Sequence, residues 1–329
     1  MRGTAAYSGK GIRLLLAVCG MAAGCCRRTA APEPAFQPRE FPAAPKVPAL
    51  ITDPAEAAEY VVTHYWDAFT DTSRIYPCDT ALVNGVPREK VESAFGMYVT
   101  LLERQESLPF AQKAVDAFFS RIEAFEARDT ATNVFEFLTK QFSRYLYDPN
   151  SPVRSEDLYL PFVSRMAVSD HVPADLHPAF AFDARMCALN RTGTPAADFA
   201  FRDLAGRTHR LYDIRADRTL LFFTNPGCPS CKEIVETIKA DTELSRQIAA
   251  GRLAVVNIYI DRELDKWKEY AATYPADWYN GYDADYIIRT DVSYNVRAIP
   301  SLYLLDARKH VLLKDAPPDR VLDYLDRVQ

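Results

Sequence analysis

Apolar side chains recur at helical spacing through the first half of the chain. Asp53-Pro54 is typical of a helix start. Apolar stripes follow at Ala57, Val61, Tyr65 and Phe69, at Val91, Phe95, Tyr98 and Leu102, at Ala111, Val115, Phe118, Ile122 and Phe125, and at Phe135, Leu138, Phe142 and Tyr145. With shorter helical stretches near 155–168 and 178–189, this spacing predicts an all-α helical domain over residues 53–190.

The period of the apolar pattern changes after a predicted loop at residues 191–196. Short apolar runs between turn residues predict strands at 199–202, 209–212, 219–223, 253–260, 301–305 and 311–314. Helices are predicted at 229–240, 263–274 and 318–328. This order of elements indicates an α/β domain over residues 195–329. The aromatic run at 274–282 is interpreted as a loop over a small satellite core, with a partner surface as the alternative.

Composition agrees with two folded domains and narrows the partners. The chain has 329 residues, of which 48% are hydrophobic, enough for more than one ordinary core. Its net charge is −5 against 39 Lys and Arg residues, and no long basic run occurs. We therefore expect no nucleic-acid partner.

The first 26 residues are typical of an export signal. Arg2, Lys10 and Arg13 form a basic start, and an apolar run of ten residues follows at 14–23, too short for a stable membrane-spanning helix. The stretch Ala22-Ala23-Gly24-Cys25 resembles a bacterial lipoprotein cleavage box, although Ala22 stands where Leu is usual. The resemblance implies lipidation of Cys25, with Cys26, Cys19 or an ordinary cleaved signal as alternatives. Each of these readings exports the protein, and we expect it on the periplasmic side of the cell envelope, anchored to the membrane by lipid.

A proline-rich stretch separates the signal from the first helix. Residues 27–54 contain seven prolines and little periodicity. A linker biased to polyproline II, reaching roughly 3 Å per residue, is therefore predicted over residues 27–52.

Four of the seven cysteines fall outside the export segment: Cys78, Cys187, Cys228 and Cys231. Because disulfides persist outside the cytoplasm, we expect a structural disulfide between Cys78 and Cys187. Two buried free thiols are the alternative.

The other pair forms the motif Cys228-Pro229-Ser230-Cys231, at the turn from an apolar strand into a helix. Only a thiolate attacks a disulfide, and the unpaired N–H groups and positive dipole end of a helix N-terminus stabilise it. The spacing therefore favours Cys228 as nucleophile and Cys231 as the buried, resolving thiol, with no cofactor beyond the cysteines. The alternatives are a structural disulfide and half a zinc site. No second such pair or paired histidine completes a metal site, since His209 and His310 are isolated.

The cysteine motif resembles thioredoxin, and the segment from Tyr294 to Leu302 (YNVRAIPSL) is similar to a second thioredoxin segment. Residues 195–206 are similar to the start of membrane-tethered, TlpA-like envelope thioredoxins. The resemblance covers residues 195–329 and implies a cis Ile299-Pro300 bond facing the cysteines. The Ile299 backbone would then be free to pair with a substrate chain. Residues 53–190 resemble an uncharacterised region that precedes such domains, and imply no activity.

Three positions depart from related patterns. Gly227 stands where thioredoxins usually have Trp, and Phe222 stands where they have a buried acid. Asp261 and Glu233 are the remaining candidates for proton transfer. Peroxiredoxins carry Thr three residues before their cysteine, where this chain has Asn225.

The resemblance implies a thiol–disulfide oxidoreductase of the envelope that acts on protein disulfides and thiols, most simply as a reductant. The competing hypothesis is a non-catalytic envelope binding protein, in which the thioredoxin fold is only a scaffold.

Overall fold

The computed structural model describes residues 37–74 and 76–327. The predicted export signal, its candidate lipidation site at Cys25, and the first part of the linker lie outside these residues. Within the described ranges, no helix combines the length and the apolar character that crossing a membrane requires. The described residues from Pro38 onward form one compact unit.

The first half of this unit is helical. Its helices are α1 (Pro54–His64), α2 (Arg88–Glu103), α3 (Leu108–Arg128), α4 (Val134–Phe142), α5 (Glu156–Met166) and α6 (His177–Cys187), and a π-helical turn at Ser143–Tyr147 continues α4. Asp53 caps α1, since its Oδ1 accepts hydrogen bonds from the backbone N–H groups of Ala55 and Glu56 at 2.8 and 2.9 Å. The helix start predicted at Asp53-Pro54 is therefore confirmed.

The predicted stripes of α2 and α3 form the core of this helical part. Every residue of those two stripes is buried. In the first stripe the buried residues are Val62, Trp66 and Phe69 instead of Val61 and Tyr65. The prediction was therefore off by one position at Val62 and Trp66 and correct at Phe69. Helix α1 ends at His64, so Trp66 and Phe69 come from the following turns. The Trp66 ring stacks on Phe118 with centroids 4.5 Å apart.

A short hairpin between α1 and α2 was not predicted. Strands β1 (Leu82–Val83) and β2 (Val86–Pro87) pair antiparallel around Asn84-Gly85. Both turn residues have positive φ, 49° and 76°, which suits Asn and Gly. The hairpin gives the end of the linker a place to dock.

The last part of the predicted linker is not a free spacer. The Arg39 backbone N–H donates to the Gly85 carbonyl at 2.8 Å, and its Nε donates to the Asn84 carbonyl at 2.9 Å. The Phe41 ring stacks on Phe69, with centroids 5.4 Å apart. The prediction of a spacer up to residue 52 is therefore wrong for this stretch, because an aromatic and a guanidinium side chain find partners on the helical core.

The predicted disulfide between Cys78 and Cys187 is also wrong. Both cysteines are free. Cys78 is exposed in the segment before β1, whereas Cys187 is fully buried at the end of α6. The Cys187 carbonyl accepts a hydrogen bond from Lys314 Nζ at 2.6 Å, which holds this end of α6 against the second half of the chain.

The second half is built on a seven-stranded sheet in the order β4-β3-β7-β6-β5-β8-β9. The strands are β3 (Ala200–Asp203), β4 (Thr208–Arg210), β5 (Arg218–Thr224), β6 (Leu253–Tyr259), β7 (Tyr279–Tyr282), β8 (Ser301–Asp306) and β9 (Val311–Leu313). The helices are α7 (Pro229–Ala240), α8 (Thr242–Ala249), α9 (Leu264–Ala271), α10 (Ile287–Thr290) and α11 (Pro318–Arg327). Strand β5 lies between β6, which is parallel to it, and β8, which is antiparallel.

Strand β5 is buried on both faces of the sheet. Leu220 and Phe222 belong to one apolar cluster, together with residues of α7, α8 and α11, whereas Leu221 and Phe223 belong to the cluster on the other face. A strand covered on both sides reads as a continuous apolar run, which is why it was predictable. Its carboxyl end carries the cysteine motif.

The aromatic run at 274–282 contains a strand that the sequence did not predict. Tyr279–Tyr282 forms β7, parallel to β6 and antiparallel to β3. Tyr282 also packs against Trp267 and Tyr259, so the satellite core expected there exists. Helix α8 was likewise missed.

Candidate active site

Cys228 and Cys231 lie at the start of α7 and are joined by a disulfide, with their Cα atoms 5.3 Å apart. Cys228 is the N-cap residue of the helix, and its Sγ accepts a hydrogen bond from the Cys231 backbone N–H at 3.2 Å. Cys228 is part-exposed, whereas Cys231 is 2% exposed and packs into the cluster that contains Phe222. One sulfur can therefore meet another molecule while the other lies beneath it.

The loop before Cys228 fixes its position. Gly227 has φ 76°, a conformation that a Trp at this position would adopt only with strain, so the glycine follows from the path of the backbone. Asn225 Nδ2 donates to Asp261 Oδ2 at 2.9 Å, and Asp261 Oδ1 lies 2.6 Å from Arg289 Nη2. Asp261 thus ties the loop to α10. Glu233, the other proton-transfer candidate, is exposed on α7.

The segment before β8 reaches the same edge of the sheet as the cysteine loop. The Ile299–Pro300 peptide bond is cis. Ser301 pairs with Phe223 across β8 and β5, so Pro300 lies beside the end of the strand that leads to Cys228. Ile299 is half-buried and packs against the apolar clusters on both faces.

A neutral hydrogen-bonded network lies near the position of the missing acid. Phe222 is fully buried, and Asn257 of β6 is its register partner. Thr224 Oγ1 donates to Asn257 Oδ1 at 2.5 Å, and Asn257 Nδ2 donates to Asn280 Oδ1 at 3.0 Å. Burial raises the pKa of the Tyr274 hydroxyl, and the neighbouring side chains of Thr224 and Asn257 oppose that shift.

This network was not predicted from the sequence. The sequence signal for it is the presence of Thr224 and Asn257 in otherwise apolar strands, because a buried polar side chain needs a hydrogen-bond partner. Both are about 1% exposed.

A groove of about 500 Å³ runs beside the disulfide, between α7 and the end of α9. Both cysteines line it, together with Val235, Tyr270 and Tyr274. Tyr270 is 43% exposed and gives the groove an aromatic rim. The arrangement can therefore hold a mainly apolar group next to the sulfur of Cys228.

Comparison with known proteins agrees with this geometry. A family described as thioredoxin-like matches residues 217–311, and a domain of unknown function, DUF5106, matches residues 24–175. The crystal structure of a thioredoxin-like protein from Bacteroides caccae is 35% identical in sequence, with a TM-score of 0.73, and the match covers 87% of this chain and 98% of that one. The chain belongs to the thioredoxin-like family.

Two other solved structures match a smaller share of this thioredoxin-like protein. The C-terminal domain of an uncharacterized protein from Bacteroides fragilis is 44% identical, covering 42% of this chain and 98% of that chain, with a TM-score of 0.40. A thiol:disulfide interchange protein from a Bacteroides species is 20% identical, covering 42% and 89%, with a TM-score of 0.35. No curated protein matches the chain.

The predicted fold class is confirmed: a helical region, corresponding to DUF5106, precedes a thioredoxin-like α/β region. The boundaries at 190 and 195, and the roles of Cys228, Cys231, Ile299 and Pro300, stay predictions.

Proposed function

We propose that this thioredoxin-like protein is an envelope thiol–disulfide oxidoreductase that reduces protein disulfides. The observation that carries the proposal is the unequal burial of the two cysteines. Cys228 is part-exposed at a helix N-terminus, and Cys231 is buried one turn inside. A purely structural disulfide needs no such difference, whereas a nucleophile with a protected resolving thiol does.

The reaction follows from that arrangement. The Cys228 thiolate attacks one sulfur of a substrate disulfide, forms a mixed disulfide and releases one substrate thiolate. Cys231 loses its proton to solvent and attacks the Cys228 sulfur, which breaks the mixed disulfide and releases the second thiolate. Two electrons have then passed to the substrate, and the protein holds the Cys228–Cys231 disulfide. A dithiol donor restores the reduced pair by the same steps in reverse.

The remaining predicted residues have roles in holding the substrate. The Ile299-Pro300 segment lies beside the end of β5 that leads to Cys228, and in this proposal an extended substrate chain pairs with the Ile299 backbone there. The helix N-terminus and the Cys231 N–H group are placed to stabilise a thiolate at Cys228, without help from an acid in the strand below.

Trapping the intermediate tests the proposal. In Cys231→Ala the mixed disulfide cannot be resolved, so a disulfide-bonded protein such as insulin should remain attached to Cys228. Cys228→Ser should abolish insulin reduction, and Cys78→Ser, which removes an exposed free thiol, should leave the rate unchanged. Equal rates in wild type and Cys228→Ser would overturn the proposal and favour a binding protein with a thioredoxin scaffold.

The pH dependence of alkylation gives a second test. Iodoacetamide labelling of Cys228 in the reduced protein should be half-maximal well below pH 8.5, while Cys231 stays protected. Equal labelling of both thiols would count against the assigned roles.

We also propose export and lipid anchoring at Cys25, on the evidence of the basic start, the short apolar run and the cleavage box. Fatty-acid labelling should reach the wild type and be lost in Cys25→Ser. Labelling lost only in Cys26→Ser would move the site by one residue, and no labelling in the wild type would contradict anchoring.

A further inference from the structure

A buried cluster of charged and polar side chains joins the helical part to the segments around Pro300. We call it the junction cluster. It comprises Arg154 and Glu156 from the helical part, and Asn295, Arg297, Lys314 and Asp315 from the thioredoxin-like part. Glu156 is 2% exposed, and the others are buried or nearly so. Buried charges persist only when they are paired and hydrogen-bonded, so these contacts are specific ones.

Glu156, the first residue of α5, contacts three residues of the thioredoxin-like part. Its Oε1 accepts hydrogen bonds from Asn295 Nδ2 at 2.6 Å and from Arg297 Nε at 3.0 Å. Its Oε2 lies 2.9 Å from Lys314 Nζ. Asn295 and Arg297 belong to the segment that leads into Ile299-Pro300. One carboxylate of the helical part therefore holds that segment at two points.

The other side of Pro300 is held through Asp315. Its Oδ1 accepts a hydrogen bond from Ser301 Oγ at 2.7 Å, and its Oδ2 accepts one from Arg297 Nη2 at 3.0 Å. Arg154 Nε, from the helical part, donates to the Asp315 carbonyl at 2.9 Å. The residues on both sides of Ile299-Pro300, at 297 and 301, are thus fixed to one rigid group.

Arg297 is held by the helical part in a further way. Its guanidinium lies over the Tyr147 ring, 4.1 Å from the centroid, and donates to the Tyr147 carbonyl. A planar guanidinium bound on its edges and its face has little freedom to turn. The chain three residues before Pro300 is therefore placed by contacts of the Arg297 side chain to the helical part.

We propose that Glu156 is a positioning residue for disulfide exchange, through which the DUF5106 region sets the geometry of the Ile299-Pro300 segment. This inference rests on the proposed function. A substrate chain that pairs with Ile299 must find its backbone in one geometry, and a misplacement of about 1 Å can cost about 100-fold in rate. The helical region then acts as part of the active centre and not as a separate module.

The test compares two substrates with full-length protein. Insulin must pair with the Ile299 backbone, whereas dithiodipyridine, a small disulfide, needs only the Cys228 thiolate. Glu156→Gln should lower kcat/KM for insulin about 10- to 100-fold, and Glu156→Asp should lower it less. The rate with dithiodipyridine and the alkylation midpoint of Cys228 should not change.

Glu103→Gln is the matched control. Glu103 Oε1 lies 3.2 Å from Arg320 Nη1, so it also joins the helical part to the thioredoxin-like part, but through α11. Neither substrate should react more slowly in this variant. Hydrogen exchange of residues 295–301, measured by mass spectrometry, should accelerate in the Glu156 variants and stay unchanged in the control.

Two outcomes would overturn the proposal: an unchanged insulin rate and exchange rate in Glu156→Gln, or an equal loss with both substrates in a folded variant. If Glu156→Gln does not fold, the same criteria apply to Glu156→Asp, which keeps the charge. A wild type that fails to react with insulin would refute the proposed function alone, because hydrogen exchange still tests whether Glu156 positions the segment.

Discussion

The stability of the junction cluster can be predicted from the buried pair of Glu156 and Lys314. Both side chains are 1% exposed, and the charged atoms are 2.9 Å apart. Changing Glu156 to Gln leaves the Lys314 ammonium buried without its partner. Loss of one member of such a pair costs about 3–5 kcal/mol, because the remaining charge keeps its desolvation penalty.

The matching change, Lys314→Met, should cost a similar amount. It leaves the Glu156 carboxylate with fewer partners and removes the donor to the Cys187 carbonyl. In the double variant neither charge of the pair remains, so its loss of stability should be about 2–3 kcal/mol smaller than the sum of the two single losses. Since folded domains are stable by about 5–15 kcal/mol, each single variant should still fold.

Urea unfolding at pH 7 and fixed salt measures all three losses. Glu103→Gln serves as the control, because its partner Arg320 is 43% exposed and such a pair contributes about 0–1 kcal/mol. A loss below about 1 kcal/mol in Glu156→Gln would refute the reasoning, as would a double variant whose loss equals the sum. Either result would mean that water reaches the pair in solution.

Two further predictions concern Asp203 and the free cysteines. Burial raises the Asp203 pKa, but hydrogen bonds from His209 and Arg207 outweigh it and lower the pKa to about 2, from 3.8. The ionised Asp203 carboxylate therefore stabilises the folded protein above about pH 4, and this contribution is lost as the pH falls through about 2. Allowing for solvent screening, Asp203→Asn should lower the unfolding free energy by about 1 kcal/mol at pH 7. A difference from wild type that did not narrow between pH 5 and pH 2.5, in urea titrations, would contradict this. In the folded, oxidised protein, iodoacetamide should label the exposed Cys78 and not Cys187, because Cys187 is buried and burial raises the pKa of its thiol. Peptide maps that showed comparable labelling of both thiols would contradict this and indicate that α6 opens.

The elements predicted best are those that are determined by their own local sequence. Helix α7 begins and ends where expected, because Cys228 can cap it, Pro229 suits its first position, and its apolar residues keep one period. The stripes of α2 and α3 could be predicted because large apolar side chains at helical spacing are typical of the buried face of a helix.

The elements that were missed depend on distant partners. Strand β7 has four residues, and it exists because β3 and β6 lie on either side of it. The docking of Arg39 needs the Asn84-Gly85 hairpin, which lies 45 residues further along the chain and was not predicted.

The candidate site divides in the same way. The cysteine motif and the Ile299-Pro300 segment could be identified from short stretches of sequence. The contact between Thr224 and Asn257 depends on strand register, which a single strand does not reveal. Glu156 looks like an ordinary acidic residue in the first turn of a helix, and only the folded chain shows that its partner Asn295 lies 139 residues away.

These long separations bear on the order in which the protein folds. Glu156 and Arg154 are made early, yet Asn295 and Ala316, to which they bond, lie 139 and 162 residues further along. A chain that emerges N-terminus first can pack its helices, but these two charges must stay hydrated until β8 and β9 arrive. The helical half can therefore fold while Glu156 and Arg154 still lack their partners. Both halves become complete only when the last strands have folded. Once formed, the two halves should unfold in one cooperative transition. If either half opened alone, charged side chains in the other half would lose their partners, which is energetically costly.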